Sequence, residues 1–183
     1  MLYISKGILT KEQDGRCNVF RHGTEITLTG TESALWKAGQ NRPCETNDIL
    51  TIEDMEYTGL VSIAKNDTSD GIYDLLFDCM FIPYWRPVSE QPLTSSESLL
   101  YTWLRDAAIR LTVAEMVYLC ENEILPSKDL LGEDGRQELV SRIYLNNDIN
   151  ECTLETKMKS AESRNWVVSD LLSLARKNYV YIG

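Results

Sequence analysis

The side chains able to do covalent or metal chemistry are few and scattered. His22 is the single histidine, and it stands beside Gly23 in a stretch that reads as a turn. A Cys–His catalytic pair would need one of the five cysteines (Cys17, Cys44, Cys79, Cys120, Cys152) to meet it in space, and nothing in the spacing argues for that. The cysteines are odd in number and far apart. Secreted disulfide frameworks favour even counts, and zinc sites favour close Cys or His pairs. Free thiols acting as small hydrophobes are therefore expected. No Gly-x-Ser-x-Gly elbow is present. Gly132-Glu-Asp-Gly135 lacks the Lys-Ser/Thr end of a phosphate loop, and the pairs Asp67/Asp70 and Glu133/Asp134 fall short of a calcium loop. With 28 carboxylates in 183 residues, close acidic pairs are plentiful and no glycosidase-type dyad stands out. The expectation is a protein with no enzymatic activity, no cofactor and no metal.

Binding chemistry is better represented. The formal net charge is −10, unevenly spread. Residues 1–83 carry seven basic and thirteen acidic side chains, residues 84–156 carry six and thirteen, and residues 157–183 carry five and two. Affinity for nucleic acid comes largely from cations placed on phosphates, so the net charge disfavours DNA as a partner everywhere except the last segment. There, Lys157, Lys159, Arg164, Arg176 and Lys177 are the candidate DNA contacts. A solvated helix face with cations near a helix C-terminus explains them equally well. Elsewhere, Glu53, Asp54 and Glu56 form an acidic cluster suited to a basic protein or peptide. Tyr84 and Trp85, between Pro83 and Pro87, either pack two domains together or form an exposed docking surface, since aromatic residues are enriched at interface hot spots.

Short elements must position these groups. Leu2–Ile4, Gly7–Thr10, Cys17–Arg21 and Glu25–Leu28 read as strands, with Asp14-Gly15 and His22-Gly23 as turns. Thr29 and Glu32 form a capping box that opens a helix running to Ala38, with Gly39 as its stop. Residues 51–58 form a second short helix with Ile52, Met55 and Tyr57 facing inward and Gly59 as a left-handed cap. Leu60–Ala64 is a strand and Asn66–Gly71 a turn-rich tip. Residues 72–82 fit a returning strand or a buried helix equally well.

Three prolines between positions 83 and 92 argue against helix there and place a linker at 83–93, between an N-terminal domain over 1–82 and a C-terminal domain over 94–183. Thr94/Glu97 and Thr112/Glu115 repeat the capping box, the latter with a Leu111/Met116 hydrophobic staple. Helices are expected over 94–110, 113–122, 137–145 and around Trp166–Ala175, a loop over 126–135, and a last strand over 179–182.

Ile26-Thr-Leu-Thr-Gly-Thr-Glu32 recurs as Ile109-Arg-Leu-Thr-Val-Ala-Glu115, which suggests one unit used twice. Through Gly23, Ile26, Leu28, Thr29, Glu32 and Leu35, residues 15–38 resemble the effector domain of OmpR-type response regulators, in which a small sheet precedes a winged helix-turn-helix. The resemblance implies an α+β, helix-rich fold of tandem winged-helix-like units with a small N-terminal antiparallel β-sheet. It also implies a recognition helix over 51–58, where that family carries basic groups into the major groove. Here that helix carries three carboxylates and no Lys or Arg. The small sheet followed by helices is also similar to PqqD-like modules, in which an edge strand and a helix grip an extended peptide.

The expectation is a non-catalytic winged-helix protein of transcription-regulator type, any DNA contact running through the C-terminal basic segment. The alternative is a protein- or peptide-binding adaptor on the same scaffold. No run approaches the roughly 18 apolar residues of a membrane span, and the N-terminus does not read as a signal peptide, so a cytoplasmic protein without a membrane partner is expected. A homodimer would present two half-sites to DNA.

Overall fold

The computed structural model describes residues 1–64, 69–77, 79–86 and 91–183. The fold is α+β and helix-rich. It divides into two units, Met1–Cys79 with Tyr181–Gly183, and Met80–Val180.

In the first unit, β1 (Leu2–Ser5) is followed by a meander of β2 (Ile8–Gln13), β3 (Arg16–Arg21) and β4 (Thr24–Leu28). Both meander turns have two successive residues in the left-handed region, Asp14 and Gly15 (φ 52° and 74°) and His22 and Gly23 (φ 48° and 81°). That is the twist-matched geometry of a two-residue hairpin. The pairings are antiparallel, Cys17 facing Leu28 and Val19 facing Ile26, with a bulge between Leu9 and Lys11.

Helix α1 (Gly30–Ala38), strand β5 (Cys44–Glu45), helix α2 (Ile49–Tyr57), strand β6 (Val61–Ala64) and helix α3 (Ser69–Leu76) complete the unit. Strand β1 is the centre of a second antiparallel sheet, ordered β5-β1-β6, with Leu2 opposite both Glu45 and Ala64. All four β1 side chains are buried.

The end of α1 is held from β1. The last carbonyls of a helix lack intrahelical donors, and Ser5 Oγ donates to the Trp36 carbonyl at 2.7 Å, while Tyr3 Oη at 2.9 Å adds to the Gly39 N–H already on the Leu35 carbonyl. Gly39 ends the helix as expected, but with φ −83°, outside the left-handed region. Glycine is needed there for space, because a Cβ would lie 2.5 Å from the Tyr3 ring. Gly59 does take the left-handed conformation, at φ +75°.

Trp36, Ile52, Met55, Val19 and Leu60 close one core. Within it, Ser33 is 1 % exposed and its hydroxyl finds no hydrogen-bond partner among the described residues. Ser33→Ala is expected to raise the unfolding free energy by about 1 kcal/mol, removing a desolvated hydroxyl and improving helix propensity. Urea denaturation reads this directly, and a loss of stability would show that the hydroxyl is satisfied.

Of residues 72–82, which fitted strand or helix equally well, 72–76 are helix and a strand returns only at β7 (Phe81–Pro83), while α3 begins at Ser69, inside the stretch expected to be a turn-rich tip. Residues 66–68 of the expected tip, residue 78 of the 72–82 stretch and 87–90 of the expected linker lie outside the described residues.

The second unit contains α4 (Ser95–Asp106), α5 (Val113–Glu121), α6 (Gly132–Ile143), a 3-10 turn (Leu145–Asn147), α7 (Glu151–Met158) and α8 (Arg164–Arg176), and the chain ends in β8 (Val180–Ile182). Helix α6 starts five residues before the expected boundary at 137. Glu133 and Asp134 fall in its first turn, where carboxylates oppose the positive end of the helix dipole. Helix α7 has no counterpart in the sequence expectation.

The capping boxes of α4 and α5 are formed tightly. Thr94 N–H donates to Glu97 Oε2 at 2.7 Å, and Thr112 N–H to Glu115 Oε2 at 2.6 Å. The equivalent Thr29–Glu32 bond is 3.4 Å. In the two tight boxes the second carboxylate oxygen reaches another element. Glu115 Oε1 accepts from Tyr144 Oη at 2.6 Å, and Glu97 Oε1 from Ser173 Oγ on α8, also at 2.6 Å. Leu111 and Met116, the staple pair, are both buried. No helix of the described residues is long and apolar enough to cross a membrane.

Candidate functional site

Helix α2 presents an unusual outward face. Asp48 caps its start, accepting the Thr51 N–H at 3.3 Å. Ile52 and Met55, three apart, turn inward and are 0 % and 2 % exposed. The opposite stripe, at i, i+3, i+4 and i+7, is Leu50, Glu53, Asp54 and Tyr57, all exposed. Leu50 is 77 % and Tyr57 94 % exposed, and Ile49 flanks them at 47 %. Tyr57 therefore corrects the expectation that it faces inward: one residue past Glu56 on a short helix, it lies about 200° around the axis from Met55, on the solvent side.

Glu53, Asp54 and Glu56 make no ion pair and no side-chain hydrogen bond among the described residues. The last turn of α2 contains no basic residue, so carboxylates crowd the negative end of the helix dipole, where each is unfavourable. Two large apolar side chains and the uncompensated carboxylates of Glu53 and Asp54 thus share one solvent-facing stripe, with Glu56 exposed about 100° to its side.

The five C-terminal cations are differently disposed. Lys177 Nζ lies 2.9 and 2.7 Å from the two oxygens of Glu97 and also donates to the Pro92 carbonyl at 3.1 Å. Glu97 is 2 % exposed. Burial alone would raise its carboxyl, but hydrogen bonds from Lys177, Ser173 and the Thr94 backbone outweigh burial and hold it down at about 2. Arg164 is buried, its guanidinium donating to Asn165 Oδ1 and to the Lys159 carbonyl. Lys159 is half-buried, while Lys157 and Arg176 are exposed. The expected phosphate-binding set is thus divided between internal and external roles.

Tyr84 is half-buried, and its backbone N–H donates to the Tyr179 carbonyl at 3.0 Å. Trp85 is 96 % exposed. His22 is exposed at the β3–β4 turn. The five cysteines are free thiols, Cys17 and Cys79 buried and only Cys152 exposed. Burial, with Asp170 adding to it, pushes the Cys120 thiol up to about 12, which keeps it protonated near neutral pH. Among the described residues no group of His, Cys, Asp and Glu is placed to hold a metal ion.

The exposed aromatic and aliphatic residues of α2 were missed by sequence reasoning, which marked only its acids. The available signal was their spacing: Leu50 and Tyr57 lie on the same stripe as Glu53 and Asp54, away from Ile52 and Met55. Comparison with protein-family models, with curated proteins and with solved structures finds no match to this chain.

Proposed function

We propose that the protein is a non-catalytic protein- or peptide-binding adaptor whose docking element is the outward face of α2, with a basic partner. The observation that carries this reading is the coexistence of exposed Leu50 and Tyr57 with Glu53, Asp54 and Glu56, none of which has a counter-cation among the described residues.

The two kinds of group do different work. Burying an aliphatic or aromatic side chain contributes about 1.5–3 kcal/mol, whereas exposed charges are screened over about 8 Å in physiological salt. Affinity then rests on Leu50 and Tyr57, while the carboxylates select the partner and speed its approach. The transcription-regulator reading has less to draw on, because Lys177 is committed to Glu97 and Arg164 to neighbouring carbonyl oxygens.

Fluorescence anisotropy with a labelled Lys/Arg-rich amphipathic peptide, and separately with a mixed-sequence DNA duplex, tests the two readings across a salt series. The peptide is expected to bind. Leu50→Ala with Tyr57→Ala should weaken binding by roughly tenfold or more, and Glu53→Gln, Asp54→Asn and Glu56→Gln together should remove most of its salt dependence. Duplex binding that weakens linearly in log–log salt and disappears with Lys157→Glu plus Arg176→Glu would overturn the adaptor reading in favour of the regulator. Those two cations are chosen because neither makes an ion pair among the described residues, so reversing them leaves the Glu97–Lys177 contact intact.

A further inference from the structure

We infer that the partner docks on α2 as a basic amphipathic helix rather than as an extended strand. This rests on the adaptor reading and specifies the form of its ligand. Leu50 and Tyr57 are seven residues apart on one helix (Ile49–Tyr57), which is about 10.5 Å along its axis at about 1.5 Å per residue. A second helix lying along α2 with apolar residues at i and i+7 reproduces that spacing, and its positions i+3 and i+4 then fall opposite Glu53 and Asp54.

An extended chain does not match. Its same-face side chains recur every two residues, about 6.6 Å apart and then about 13 Å. Neither repeat meets two anchors about 10.5 Å apart.

Backbone chemistry points the same way. A strand gains affinity by adding hydrogen bonds to an open sheet edge. The outward stripe of α2 itself offers no such edge, because the peptide groups beneath it are used within the helix. A strand laid there would leave its own N–H and C=O groups unpaired against apolar surface. A helical partner arrives with its backbone already satisfied.

The charge placement supplies the complement. Asp54 and Glu56 fall in the last turn of α2, which has no basic residue to offset them. Lysines or arginines from a partner would relieve repulsion that the free helix carries. The partner is therefore cationic where α2 is anionic, with apolar residues two turns apart on the same face.

The test uses three short Ala-rich synthetic peptides and the full chain. The first places Leu at i and i+7 with Lys at i+3 and i+4. The second has the same composition with the second Leu moved to the opposite face. The third carries a central Pro. Affinity is read by calorimetry, and location by ¹⁵N amide shifts.

The first peptide should bind with shifts centred on residues 49–57. The other two should bind at least roughly tenfold more weakly, since one loses an anchor and the other loses its helix. Equal binding of the Pro peptide and the first, both still weakened by the Glu53/Asp54/Glu56 neutralisation, would overturn the helical form while leaving the adaptor reading standing. Binding insensitive to that neutralisation and to Leu50→Ala with Tyr57→Ala, or no saturable binding at millimolar peptide, would overturn both.

Discussion

Glu97→Ala is expected to destabilise the second unit by about 3 kcal/mol, within the range seen when one partner of a buried ion pair is removed. Glu97 is the third residue of α4, and one carboxylate serves three partners. It closes the capping box on Thr94, accepts from Ser173 on α8 and neutralises Lys177 beyond the end of α8. Truncation removes a helix cap, worth about 1 kcal/mol alone, and strands an ammonium whose side chain is only 19 % exposed.

The pH dependence follows from the same contacts. The carboxyl is held at about 2 in the folded chain against an ordinary value of 4.5. Its contribution is therefore fully present above pH 4.5 and is lost as the pH falls towards 2. A displacement of that size corresponds to about 3 kcal/mol, in line with the expected cost of truncation. Denaturant unfolding of wild type and Glu97→Gln from neutral pH downwards should show two stabilities that converge as pH 2 is approached. A difference that stays constant with pH would mean that the carboxylate charge contributes nothing.

Gly135→Ala is expected to destabilise the same unit by about 2 kcal/mol, against the sign that helix propensity predicts. Gly135 lies in the first turn of α6, and replacing a helical glycine with alanine ordinarily stabilises by about 1 kcal/mol. Here the added Cβ would lie 2.3 Å from the Leu130 carbonyl carbon and 2.7 Å from its Cα. Those are backbone atoms, so relief requires the Leu130–Leu131 segment to move off the helix, and overpacking of this kind costs about 1–3 kcal/mol. Gly132→Ala is the control, because that position has φ +70° but no atom within 4 Å of a Cβ, so it carries only the backbone penalty. Thermal unfolding of the two variants should rank Gly135→Ala well below Gly132→Ala. The reverse order would remove the steric argument.

What could be read beforehand was local. Asp14-Gly15 and His22-Gly23 announce hairpin turns because few other dipeptides tolerate two left-handed residues. Thr29, Thr94 and Thr112, each followed three residues later by glutamate, announce helix starts through a short-range bond. Helix α7 escaped because its buried side is thin: Leu154 and Met158 are its only buried apolar residues, with Glu155 between them. Residues 72–82 were undecidable because an apolar run broken only by Asp74 and Asp78 has no period that separates strand from helix.

The site was legible only in its charges. Glu53, Asp54 and Glu56 could be marked from composition, but the exposure of Leu50 and Tyr57 depends on which side of α2 the core takes. Lys177 was grouped with exposed cations because its partner Glu97 is eighty positions away. Nothing within a local window marks that pairing.

The two left-handed turns of the meander also bear on how the first unit assembles. Strands β2, β3 and β4 meet through neighbouring residues, so their closure entropy is small, and hairpins of this kind form in about 1–10 μs. Strand β1 has no such shortcut: Leu2 must find Ala64, across the meander and two helices. Pairing Leu2–Ser5, the most completely buried strand of the unit, with β6 therefore carries a larger closure entropy than folding the meander.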